Sequence, residues 1–240
     1  MSLPHPASGQ AVASASESLA DCLHQALQSG QIHGVLPAFL GAAEQESTAL
    51  AAVRVLGPDA VAPTLLSGYA PDGGDRWVLE RALAVHPCDD AAPAEARCLG
   101  EAQAVLADPG AGTTANAPWS QAECVAAASG AAWRIWAQRQ ALLAPLAWPG
   151  LGGPVADSVG ERAADIGRGL VRAVLRRDLP TAARLARWAV IAQLRGADTG
   201  LGSHGVAKAV RHIALCGGDD ARMALDTAIV RRLVAREGAS

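Results

Sequence analysis

The chain has 240 residues, half of them hydrophobic and 18% charged, with a formal net charge of −3. That much apolar material excludes a wholly disordered chain and suffices for one sizeable core or two smaller ones. Ala is the commonest residue while Phe and Tyr occur once each, so composition favours helix over strand, and the slightly acidic balance argues against a general nucleic-acid binder.

Residues 1–15 carry neither a basic leader nor a sustained apolar stretch and are expected to form a flexible tail. Apolar residues then recur at helical spacing over 16–29, 36–56, 58–67, 74–85 and 92–107, between short stretches rich in Gly, Pro or Asp. The segment 109–118 lacks periodicity and is dense in turn formers, which marks a linker. Further helices are expected over 121–146, 155–176, 179–195, 203–216 and 219–236. Nothing between them alternates like a strand. The expected fold is an all-α bundle of about ten helices packed as antiparallel hairpins, without a substantial β-sheet.

The 155–176 segment carries the clearest stripe, with Val159, Ala163, Ile166, Leu170 and Val174 on one face. Acids precede bases on its other face, as the helix dipole favours, and Asp165 is placed to meet Arg168. Asp178 and Pro180 supply a cap and a first-turn proline for the helix that follows. Charge changes sign along the chain: before residue 120 there are 4 Arg against 13 acids, and after it 16 basic residues against 10 acids. An acidic half, 16–108, and a basic, Trp-containing half, 119–240, are therefore expected to attract and pack as one domain.

The five cysteines are odd in number and contain no C-x-x-C pair, so neither a zinc site nor a disulfide framework is indicated, and a reducing cytoplasm is expected. No metal site and no cofactor is expected. No segment reaches the roughly 20 unbroken apolar residues of a membrane span, so no membrane contact is expected either.

Chemistry concentrates in the glycine-rich segment 196–218. Gly200, Gly202 and Gly205 spell G-x-G-x-x-G, but no strand precedes them, so a dinucleotide fold is rejected. Backbone N–H groups of Gly200, Gly202, Ser203 and Gly205 at a helix start could still hold an anion; if the segment is only a turn, Ser203 is expected as the N-cap. On the helix that follows, His204, Lys208, Arg211 and His212 share one face. Lys208 and Arg211 would supply charge, and His204, Lys208 and His212 are the candidate catalytic groups, a His exchanging protons near neutral pH. The competing interpretation is a solvated polar face after a turn.

The acidic pairs Asp89–Asp90 and Asp219–Asp220 lack the third carboxylate of a Mg²⁺-binding helix, and Asp219–Asp220 fit capping of the last helix. Most of the six Trp are expected to fill the gaps of an Ala-rich core. Arg168, Arg172, Arg176, Arg184 and Arg187 would be the ridge for any nucleic acid, a partner the composition disfavours. The leading expectation is a cytoplasmic α-helical interaction or accessory protein that presents helical surfaces to a protein partner or to its own copy. The alternative is an α-helical enzyme or binding protein that holds an anionic small molecule at 200–205 and the following helix.

Overall fold

The computed structural model describes residues 6–89, 91–108, 119–151 and 153–237. The linker expected at 109–118, the first five residues and Asp90 lie outside them. Among the described residues there is helix and no strand, as composition and periodicity require. Two compact units are formed: residues 1–92 with 99–114, and residues 93–98 with 115–240.

The first unit is built from α1 (Pro6–Ser29), α2 (Val35–Ala42), α3 (Glu46–Leu56), a 3₁₀ turn (Gly57–Val61), α4 (Ala62–Ser67), α5 (Gly73–Val85) and most of α6 (Ala94–Ala107). Helix α1 begins at Pro6, so the expected tail is helical over its last ten residues; the Ala-rich run there has strong helix propensity. Leu19 and Leu23 of α1 meet a core completed by Leu50, Val53 and Leu56 of α3 and Leu79 of α5, all fully buried. The end of α3 is finished by Gln103, whose Nε2 donates to the carbonyls of Val53 (2.7 Å) and Gly57 (3.0 Å), satisfying acceptors that a helix terminus leaves open. Within Glu46–Ser67 an 18-residue window has a mean hydropathy of 1.4, enough by length and composition to cross a membrane, yet 78% of that window is buried inside this unit.

The second unit contains α7 (Trp119–Ala128), α8 (Trp133–Leu142), a 3₁₀ turn (Ala144–Leu146), α9 (Pro154–Glu161), α10 (Ala163–Leu175), α11 (Leu179–Leu194), α12 (Gly202–Cys216) and α13 (Ala221–Glu237). Helix α11 is its axis: Leu185, Arg187, Trp188, Val190 and Ile191 are all buried, so α11 has no solvent face over these turns. Its many Ala let α8, α10, α12 and α13 approach closely. Trp188 donates from Nε1 to the Gln140 carbonyl at 2.7 Å, and Trp136 and Trp148 are buried as well. Trp77 and Trp133 depart from the core expectation and reach solvent.

Three of the expected helices are each broken in two. The 36–56 segment divides between α2 and α3, where Ala43 turns extended, and 121–146 divides at the turn around Gly130. The 155–176 segment breaks at Arg162, which adopts φ −116° and ψ 30°. Its guanidinium there bonds Asp165 at 2.8 Å and the Ala131 carbonyl at 3.2 Å and covers the Trp136 ring at 4.5 Å, interactions that stabilise the break. Four of the five stripe residues, Val159, Ala163, Ile166 and Leu170, are nevertheless buried, and Val174 at the end is half-buried.

Asp178 caps α11 by accepting from the Thr181 N–H at 3.3 Å, and Asp220 caps α13 by accepting from Met223 N–H at 2.8 Å. Replacing the exposed Asp178 by Ala should cost about 1 kcal/mol, measured by denaturant unfolding, while Asp178→Asn, which keeps an acceptor, should stay within a few tenths of the parent. Equal losses in both variants would show that the cap bond is not what the position contributes.

Candidate functional site

In the expected site, Gly200 and Gly202 adopt φ of 72° and 64°, so the turn itself requires glycine there. The Gly200 N–H is already taken by Asp198 Oδ1 at 2.7 Å, and Gln193 Nε2 donates to the Gly202 carbonyl at 3.3 Å. Helix α12 begins at Gly202 with Leu201 at the capping position, so Ser203 lies inside the first turn and is not the N-cap; its side chain lies outside those described. Gly205 faces Leu201, whose Cβ would stand 2.8 Å from an added Cβ.

His204, Lys208, Arg211 and His212 do share a face of α12, and all four are exposed. His204, Lys208 and Arg211 form no hydrogen bond or ion pair with a described residue, and His212 meets only Cys216, at 3.9 Å, one turn on. No acid or Trp from another helix is bonded to this ridge among the described contacts. The side chains are brought together as a solvated row, without the walls that would desolvate a reacting group.

A cavity lies on the other partner of the glycine loop. Helix α10 carries Gly167 where the loop crosses it, and a Cβ at Gly167 would stand 1.9 Å from the Thr199 carbonyl oxygen. Gly169 similarly lets α10 approach α8 and α11, since an added Cβ would lie 2.8 Å from Ala137 Cβ and 3.1 Å from Leu185 Cδ1. These close approaches shape an open groove of about 580 Å³, with Thr199, Gly200 and Leu201 on one wall and Trp133 on another. Its α10 face presents Arg168, Val171, Arg172, Leu175 and Arg176. A smaller groove of about 210 Å³ adjoins it and shares Trp133, Arg172 and Arg176.

The groove is both basic and greasy. Leu175 is 79% exposed and Val171 44%, while Arg168 is held by Asp165 at 3.2 Å. Arg172 and Arg176 make no side-chain hydrogen bond or ion pair with a described residue, so their charge is available. Such an arrangement can hold a carboxylate or phosphate against the guanidinium groups while covering apolar surface beside them. Sequence reading noted the three arginines but joined them to Arg184 and Arg187. That ridge does not exist as a surface: Arg187 is fully buried and bonded to Asp226 at 3.0 Å, and Arg184 turns toward the same carboxylate at 3.8 Å. The missed signal was Val171 and Leu175, apolar residues among the arginines on a face otherwise given to solvent.

Comparison with known proteins returned no match: no family model, no curated protein and no solved structure resembles the chain.

Proposed function

We propose that this chain is an interaction protein whose second unit docks an acidic, amphipathic segment of a partner protein along α10. The observation that carries the proposal is the pair Arg172 and Arg176, which bond no described side chain, next to the exposed Leu175 and Val171. Arg and Trp are the side chains most enriched where partners bind, and exposed apolar groups rimmed by charge mark such surfaces. Openness of the groove favours a chain laid across it over a small molecule enclosed by it. A reducing compartment, the cytoplasm, is part of the same proposal.

The test is a photo-crosslinking amino acid at position 175, used in host cells with and without Arg172→Glu/Arg176→Glu. A partner whose crosslinked peptide is acidic and amphipathic, and whose crosslink is lost on charge reversal with the melting temperature unchanged, is the expected outcome. Crosslinks that survive charge reversal, or that join only copies of this chain, would overturn it.

A second reading has one observation in its favour: the loop residues Thr199, Gly200 and Leu201 line the same groove as Arg168, Arg172 and Arg176. A small anion held at the glycine loop would then face α10 and not the His204–His212 ridge. In a thermal-shift screen of anionic metabolites, Arg172→Ala should abolish any stabilisation while Lys208→Ala/Arg211→Ala preserves it. The opposite pattern would place the ligand on α12.

A further inference from the structure

We propose that His33, Asp72 and Asp75 form a binding site in the first unit for a single divalent transition-metal ion, of which Zn²⁺ is the representative. His33 lies in the loop between α1 and α2, anchored by Thr64, whose Oγ1 donates to the neighbouring Ile32 carbonyl at 2.8 Å. Asp72 and Asp75 open α5. One ligand atom from each of the three lies within 4.8 Å of the other two.

Local structure accounts for only part of this cluster. Asp72 caps α5 by accepting the Asp75 N–H on Oδ1 at 2.8 Å, which leaves Oδ2 facing His33 Nδ1 at 3.8 Å. Asp75 is 2% exposed, and its Oδ1 is buried without a hydrogen-bond partner. An orphaned carboxylate oxygen is costly in a protein interior, and a cation is one of the few things that would satisfy it. Backbone N–H groups of Gly34 and Leu36 steady the same carboxylate, while Asp72 sets a second negative charge beside it. That crowding of negative charge is what a bound cation relieves.

The donor set selects the class of ion. Two carboxylates neutralise a divalent charge, and an imidazole nitrogen favours Zn²⁺ and its neighbours over Mg²⁺ or Ca²⁺, which take oxygen. Ligand bonds of about 2.0–2.2 Å around a tetrahedral ion separate donors by about 3.4 Å. The 3.8 Å His33–Asp72 gap is near that value, and both side chains are partly exposed, 45% and 41%, so they can close on the ion by rotating. Solvent completes the coordination on that side. Spacing in the sequence could not reveal this site, because His33 and the two acids are brought together only by packing α5 against α2.

The experiment is calorimetric titration of the chelator-treated full chain with ZnCl₂, and separately with MgCl₂. One Zn²⁺ per chain is expected, with no heat from Mg²⁺ at the same concentration. His33→Ala and Asp72→Asn should each weaken Zn²⁺ binding by about tenfold or more. Both positions tolerate the change, His33 being on the surface and Asn being as good a cap as Asp, and their metal-free melting temperatures should match the parent. Absence of Zn²⁺ binding, binding undiminished in both variants, or equal binding of Mg²⁺ would each overturn the proposal.

Discussion

Asp226→Ala should destabilise the second unit by about 3–5 kcal/mol. Asp226 is 1% exposed and accepts from Arg187 Nη1 at 3.0 Å, while Arg184 and Arg222 reach its other oxygen at 3.8 and 3.9 Å. Arg187 is itself completely buried and lies over the Trp148 ring at 5.1 Å. A guanidinium cannot shed its proton to escape the interior, so deleting the carboxylate leaves a buried cation without the anion it bonds. Urea unfolding followed by Trp fluorescence reads the loss directly, because all Trp except Trp77 belong to this unit. Pairing Asp226→Leu with Arg187→Met should recover most of it, since the cost lies in a buried charge that has lost its carboxylate and not in the missing pair. A loss below about 1 kcal/mol for Asp226→Ala would mean that water reaches Arg187 and that the pair is not buried as described.

The Arg187–Asp226 pair also shows where the sequence ceased to be legible. Helical spacing located the apolar stripe of α10 and the course of α11, and the short polar side chain of Asp178 located the cap of α11, because both signals act within one or two turns. Arg187 carries no such signal. On a helix buried all round, a charged residue looks like a surface residue until the neighbouring helices are in place, and Asp226 is 39 positions away. The same limit hid the groove. Arg172 and Arg176 were visible as cations, but the wall opposite them comes from Thr199–Leu201, which reaches α10 only after α11 has turned the chain back. For the glycine loop the sequence showed the residue types but not their local role: positive φ at Gly200 and Gly202 and the Asp198 bond to the Gly200 N–H give these glycines a part in a turn that spacing alone does not specify.

Gly167→Ala is the second large effect expected, and it tests the groove and the packing together. In most helices exchanging Gly for Ala gains up to about 1 kcal/mol. At Gly167 the added methyl would stand 1.9 Å from the Thr199 carbonyl oxygen and 3.0 Å from its carbon, and backbone atoms cannot rotate aside as a side-chain end can. Either α10 or the loop must move, at an expected net cost of about 1–3 kcal/mol. Gly160→Ala in α9 is the internal control, since nothing lies within 4 Å of its added Cβ, and it should be neutral or slightly stabilising. Relief of the clash is easiest by lifting Thr199–Leu201, which removes one wall of the groove while Arg172, Arg176 and Leu175 stay on α10. Gly167→Ala should therefore lose the crosslink from position 175 even at temperatures where the unit remains folded. If it proves as stable as Gly160→Ala, the loop does not rest on α10. The site would then reduce to a row of arginines on a bare helix.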